Sequence, residues 1–175
     1  AGIDGVTLSG KIIAAGHSFG GLIAQIAAGA ELDPAVDAAL SETAIRPLAV
    51  IALSPPGPIP DYISAAGWGK LRTPSLTVTG TADIIPEFTP KWELHKASYE
   101  AAPAGGAYLL VFDGMDHYFN GAFGRRGAQG FEENSAVVLL NGIILDFVRS
   151  VETGSLPIDS EWTALSSDAL LAESR

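Results

Sequence analysis

The chain of 175 residues contains no cysteine. That excludes a disulfide framework, a thiolate nucleophile and any zinc site built on sulfur, while leaving the cellular compartment open. Positive charge is scarce as well. Ten Lys and Arg stand against twenty Asp and Glu, a formal net charge of −10. Nucleic-acid binding depends on clustered Lys and Arg that neutralise phosphates, and an anionic membrane surface attracts the same residues, so the charge balance argues against both partners. Histidine occurs three times, at His17, His95 and His117. What is abundant is apolar: 47% of the chain is hydrophobic and only 17% charged, the composition of a folded domain with a sizeable core.

One uncharged stretch, residues 12–30 (IIAAGHSFGGLIAQIAAGA), is about long enough to cross a bilayer. His17, Ser18 and Gln25 are polar, however, and Gly16, Gly20 and Gly21 cluster where a spanning helix needs continuity. A buried strand, a tight turn and a buried helix account for it, and no membrane span is expected. The chain starts at Ala1 with no signal-peptide pattern, which raises the expectation of a processed product or a piece of a longer protein.

Apolar strand-like runs alternate with helical stretches. The runs are residues 11–15 (KIIAA), 48–53 (LAVIAL), 75–79 (SLTVT) and 107–112 (AYLLVF), punctuated by Pro and Gly. Uninterrupted apolar strands of this length suit the inside of a parallel sheet covered on both faces. Helices are expected over residues 19–29, 86–101 and 132–148, the last strongly apolar (AVVLLNGIILDFV). Residues 1–10 read as the end of a preceding helix and a turn, and the acidic segment 151–175 as a surface wrap or mobile tail. Strand–helix alternation predicts an α/β fold.

The residues Gly16-His17-Ser18-Phe19-Gly20 form a G-x-S-x-G pattern directly after a predicted strand and directly before a predicted helix. The pattern alone recurs by chance in glycine-rich chains; its position makes it a candidate nucleophile turn. A serine in so sharp a turn takes strained backbone angles, so Gly16 and Gly20 are expected to remove clashing Cβ atoms and Gly21 to let the helix approach the sheet. The helix N-terminus beside Ser18 favours developing negative charge.

Serine needs a base, usually histidine, held by a carboxylate. His17 sits inside the turn and reads as packing, and His95, among Lys91, Glu93 and Lys96, as a solvated helix residue. His117 follows the fourth run in FDGMDHYF, on a loop at the carboxyl edge of the sheet, where a base belongs; a structural loop histidine is the alternative. Asp83 follows the third run in TGTAD, as the candidate acid or as a turn or helix-capping residue. Asp113 and Asp116 compete with it by nearness to His117, although a neighbour in sequence reaches its Nδ1 poorly. The order Ser18, Asp83, His117 is that of the α/β-hydrolases.

The motifs GHSFGG, TGTAD and FDGMDHYF, in this order on successive strand ends, resemble the carboxyl-terminal half of an α/β-hydrolase over residues 8 to 150. GHSFGG with PSLTVTGTAD is similar to the dienelactone-hydrolase-like esterases, including the platelet-activating-factor acetylhydrolase and polyester-hydrolase relatives. The chain departs from dienelactone hydrolase itself, whose nucleophile is cysteine. The resemblance implies hydrolysis of a small-molecule carboxylic ester through Ser18, His117 and Asp83, with no metal or organic cofactor. It also implies an oxyanion-hole donor in the backbone N–H of Phe19. Residues 54–73, where relatives often insert a lid, are short, so an open site is expected. Tyr62 and Trp68 are candidates to wall the acyl pocket, plain packing being the alternative.

The resemblance further implies a mostly parallel sheet flanked by helices, truncated to its last four strands, with residues 1–150 as the carboxyl-terminal part of the catalytic domain. The loop that gives the second oxyanion donor is then missing, and the strand at 11–15 becomes an open edge. A non-catalytic module, homodimerising through that edge, is the competing reading. A nucleotide-binding domain is disfavoured, since the turn lacks G-x-G-x-x-G and the chain lacks a Walker lysine.

Overall fold

The computed structural model describes residues 10–37, 46–124 and 134–175. The chain runs β1 (Ile13–His17), α1 (Phe19–Ala27), α2 (Pro34–Asp37), β2 (Ala49–Leu53), α3 (Ala65–Trp68), β3 (Ser75–Ala82), α4 (Ala97–Ala101), β4 (Ala107–Asp116), α5 (Ser135–Thr153), α6 (Asp159–Thr163) and β5 (Leu170–Ser174), with short 3₁₀ turns at Trp92–Lys96 and Phe119–Gly121. The strands form one sheet in the order β1-β2-β3-β4-β5. The first four are parallel and β5 pairs antiparallel with β4. This is the expected α/β fold, a mostly parallel sheet with helices on both faces.

The runs of β2, β3 and β4 become strands where both sheet faces are covered, while β1, at the edge, is only partly buried. Adjacent residues point to opposite faces, so Val50 and Leu109 belong to one core, with Leu22, Trp68, Leu71 and Tyr99. Their neighbours Ile51 and Leu110 belong to the other, with Phe112, Phe147 and Trp162. Helix α5 covers this second face through Val137, Leu140, Ile143 and Phe147, a stripe at three- and four-residue spacing. The Asn134 side chain caps its start by accepting from the Val137 N–H (3.2 Å), and Gly154 ends it in the left-handed conformation. Among the described residues no helix is long and apolar enough to cross a membrane.

Three expectations change. The sheet has five strands among the described residues where four were expected. The fifth comes from the acidic segment 151–175: Leu170 and Ala172 are buried against β4, and Trp162 of α6 donates its indole N–H to the Leu109 carbonyl (3.2 Å). The helix expected over 86–101 is confined to Trp92–Ala101. Pro86 and Pro90 disfavour helical angles in the residues before them, and Ile85 and Thr89 close a small loop instead. Helix α5 runs to Thr153, and the expected start at residue 132, like the helix end and turn expected over residues 1–9, lies outside the described residues.

Strand β1 pairs with β2 and stands at one edge of the sheet. At their carboxyl ends β1, β2, β3 and β4 deliver Ser18, Ser54, Asp83 and His117 to one rim.

Candidate active site

Ser18 leaves β1 with φ 55° and ψ −126°, a conformation that costs a non-glycine residue about 1–3 kcal/mol and needs the surroundings to hold it. Two features do so. The Ser18 N–H donates to the Leu53 carbonyl (2.8 Å), tying the turn to β2. The chain then doubles back so tightly that a Cβ on Gly16 would lie 2.1 Å from the Gly20 carbonyl oxygen. Only glycine fits there. Gly20 itself has open space where its Cβ would stand, so the expected clash belongs to Gly16 alone.

Asp83 reaches the site through a break in the sheet. A Cβ on Gly80 would fall 2.2 Å from the Met115 carbonyl oxygen, and the register of β3 against β4 slips between Gly80 and Ala82. The strand ends diverge there and place Asp83 beneath His117. His117 Nδ1 lies 2.8 Å from Asp83 Oδ1, and its Nε2 lies 3.0 Å from Ser18 Oγ. A carboxylate only accepts, so Nδ1 carries the proton and the bare Nε2 faces the serine hydroxyl. The three residues singled out from widely spaced motifs therefore meet as one hydrogen-bonded chain.

Burial by itself would push the Asp83 carboxyl up. The hydrogen bond from His117, the close contact with His95 and the nearby Ser54 hydroxyl more than reverse this and hold it well below the usual carboxylate range. Thr79 donates its hydroxyl to the other oxygen, Oδ2, at 2.8 Å. Asp113 and Asp116 serve the local chain instead. Asp113 accepts from the Thr81 hydroxyl (2.9 Å), and Asp116 accepts from the N–H groups of Tyr118 and Asn120 (both 2.9 Å), shaping the loop that carries His117.

His95 departs from expectation. It is 1% exposed rather than solvated, with Nδ1 2.6 Å from the Pro55 carbonyl oxygen and Nε2 2.9 Å from Asp83 Oδ1. The Asp83 contact is close but poorly aligned for a hydrogen bond. The sequence did carry a signal: His95 lies on the face of Ser98, Tyr99 and Ala102, all buried, at three-, four- and seven-residue spacing. His17 packs as expected, stacked on Phe123 (4.6 Å between ring centres), and donates Nε2–H to the His117 carbonyl at 2.6 Å. Burial pulls its pKa down.

Asp83, His95 and His117 bring three potential metal-ligand atoms within 4.8 Å. The two imidazoles sit 2.8 and 2.9 Å from the same Oδ1. Donors around a tetrahedral zinc with bonds of about 2.0–2.1 Å stand roughly 3.3 Å apart, so these spacings are those of side chains in direct contact with one another.

Above Ser18 opens a cavity of about 770 Å³, lined by Pro56, Pro58, Ile59, Ile85, Phe88 and Tyr118 among others, with Glu87 its one carboxylate among the described residues. Phe19 heads α1, where first-turn N–H groups have no intrahelical acceptor. Neither Tyr62 nor Trp68 walls this cavity. Trp68 is fully buried and donates its indole N–H to Gln25 Oε1 (2.9 Å), which makes it core. Tyr62 lines a neighbouring cleft and its ring stands 6.0 Å from that of Phe19.

No family model matches the sequence, and no curated protein matches it. Two similar solved structures are of esterase 2 from Thermogutta terrifontis. The form phosphonylated by cyclosarin is 23% identical with a TM-score of 0.48, over 84% of this chain and 56% of that one. The apo form is 21% identical with a TM-score of 0.46, over 84% and 57%. The chain thus spans little more than half the length of that esterase, and likeness at this level assigns it no substrate.

Proposed function

We propose that the chain carries the nucleophile, base and acid of a serine hydrolase of α/β-hydrolase type that cleaves carboxylic esters. The observation that carries this reading is the chain of contacts Ser18 Oγ–His117 Nε2 (3.0 Å) and His117 Nδ1–Asp83 Oδ1 (2.8 Å), assembled from three strand ends.

In this reading Ser18 Oγ attacks the ester carbonyl carbon while its proton passes to His117 Nε2. Asp83 keeps the imidazole in the required tautomer and stabilises the imidazolium that forms. The oxyanion of the tetrahedral intermediate accepts from the Phe19 N–H at the head of α1. When the intermediate collapses, His117 protonates the departing alcohol and Ser18 is left as an acyl ester. Water, deprotonated by His117, then attacks the acyl carbon and releases the acid. The apolar cavity with its single Glu87 suits an uncharged ester. The described residues supply one oxyanion donor from the turn, and loss of a donor costs about 10²–10³ in rate. A partner segment that supplies the second would raise the rate of the whole protein accordingly.

The test is hydrolysis of a short-chain nitrophenyl ester beside labelling by a fluorophosphonate. Wild type is expected to be labelled on Ser18, and Ser18→Ala to lose both labelling and turnover. Hydrolysis that survives the substitution, or a label on another residue, would sink the assignment. A second reading, association through the edge of β1, is favoured by the half-exposed Ile12 that leads into that strand. Sedimentation as a monomer would dismiss it.

A further inference from the structure

Phe88 is the most exposed large apolar side chain among the described residues, at 83%. A single apolar residue scattered on a surface is ordinary. This one lines the cavity over Ser18, together with Pro56, Pro58, Ile59 and Ile85. The loop that carries it is closed on itself. The Ile85 N–H donates to the Thr89 carbonyl (2.9 Å), the Thr89 N–H donates back to the Ile85 carbonyl (2.7 Å), and the Phe88 N–H donates to that same carbonyl (3.0 Å). Pro86 and Pro90 fix φ within and just after the loop, and Thr89 is buried at its base. The loop begins two residues after Asp83, so the segment that places the acid also places this ring. The fold thus holds an aromatic ring in water beside Ser18, and a molecule bound in the cavity would cover it.

We propose that residues 85–89 form the selecting lip of the site, in which Phe88 receives an apolar substituent of the ester and Glu87 turns away negative charge. This deepens the reading of Ser18, Asp83 and His117 given above and rests on it. The substrate class is then an uncharged ester whose acyl or alcohol part carries an apolar group larger than methyl. Phe88 offers that group the face of a ring, and the prolines and isoleucines of the cavity supply the rest of the apolar wall. Glu87 is the cavity's one carboxylate among the described residues, and no Lys or Arg among them lines the cavity to offset it. The chain's net charge of −10 acts in the same direction. Hydrolysis of the acyl ester on Ser18 releases a carboxylic acid that ionises at neutral pH. The carboxylate that excludes anionic esters therefore also favours departure of the product.

Both effects have a size. Full burial of a methylene is worth about fourfold in affinity. A lip covers one side of a chain, so roughly twofold per methylene is expected. Lengthening a nitrophenyl ester from acetate to hexanoate adds four methylenes and should raise kcat/KM by about 15-fold. Like charges about 4–6 Å apart in water disfavour one another by about three- to sixfold. The nitrophenyl half-ester of adipic acid, a hexanoate with a carboxylate at its far end, should accordingly trail the hexanoate.

The test reads ratios between esters, which a general injury to the site leaves unmoved. Phe88→Ala should cut the hexanoate-to-acetate ratio of kcat/KM at least about fivefold, and Phe88→Leu should keep most of it. The acetates of hexanol and methanol, compared in the same way, tell which side of the ester meets the ring. Ratios that stay within about twofold of wild type in Phe88→Ala for both series overturn the proposal. Glu87→Gln should raise kcat/KM for the adipate half-ester relative to the hexanoate about threefold, and an unchanged ratio overturns the part assigned to Glu87. Binding is read apart from turnover with ketones, which are not hydrolysed. Hexanophenone should bind the wild-type chain about 15-fold more tightly than acetophenone and shift the Phe88 ring signals in NMR. The two readings fail differently. An ester still cleaved by Ser18→Ala removes the triad but leaves the ketone result standing, whereas equal ketone affinities beside an inactive Ser18→Ala remove only the lip.

Discussion

The two glycines that bracket Ser18 in the motif make opposite predictions. A Cβ at Gly16 would meet the Gly20 carbonyl oxygen at 2.1 Å, its carbon at 2.2 Å and the Gly21 nitrogen at 2.7 Å, all backbone atoms, whereas ordinary contact begins near 3.4 Å. No rotamer relieves such an overlap, so Gly16→Ala must open the turn by roughly 1 Å. The Ser18 Oγ–His117 Nε2 distance is 3.0 Å, and hydrogen bonds fade beyond about 3.2 Å, so a shift of that size uncouples nucleophile and base. A misplacement of about 1 Å costs on the order of 10²-fold in rate. The overpacking itself costs about 1–3 kcal/mol, or a Tm fall of roughly 3–10 °C for a chain of this size. At Gly20, inside α1, an added Cβ meets nothing within 4 Å. Gly20→Ala should therefore raise Tm by about 1–4 °C through the helix preference for alanine, and leave labelling within about twofold. Thermal unfolding and fluorophosphonate labelling rates on the two variants decide the matter. Wild-type labelling and Tm in Gly16→Ala, or equal damage in Gly20→Ala, would refute the reasoning.

Three further outcomes follow from the same geometry. The Asp83 carboxyl lies lower in the folded than in the unfolded chain, so it contributes stability above the unfolded value of about 3.9 that is lost as pH falls through and below it. Thermal melts should show this acid loss beginning below about pH 5, and Asp83→Asn should flatten that part of the profile. Trp162→Ala should cost about 3–5 kcal/mol in urea unfolding, because the ring is 3% exposed and packs against Tyr108 and Phe147; a cost under about 0.5 kcal/mol would mean that α6 and β5 do not belong to the folded core. Thr79→Val, close to isosteric, should lose about 1–3 kcal/mol by leaving Asp83 Oδ2 without its hydroxyl donor, and should slow labelling of Ser18.

What could be read directly from the residues was local. Strands β1 to β4 are legible because each is an apolar run closed by Pro, Gly or Asp, and in β2, β3 and most of β4 burial on both faces leaves no polar alternation to confuse the pattern. Ser18, Asp83 and His117 are legible because their motifs follow such runs, and parallel strands necessarily present those ends on one rim. Strand β5 escaped because only Leu170 and Ala172 face the core in an acidic segment, and its partner β4 lies some sixty residues upstream.

His95 escaped for a similar reason. Its neighbours Glu93 and Lys96 announce a solvated helix, and only the packing of the turn over Pro55 and Asp83 turns the ring inward. The pocket walls were equally non-local. Trp68 found its indole partner in Gln25, and the cavity over Ser18 is walled instead by prolines of the same loop and by Phe88. Residue types and spacing were enough for the strands, the turn and the three-residue relay, since each depends on a few consecutive residues and the direction of a strand. Tertiary structure alone decided that His95 turns inward onto Pro55 and that β5 pairs with β4, because each depends on atoms brought into contact from distant parts of the chain.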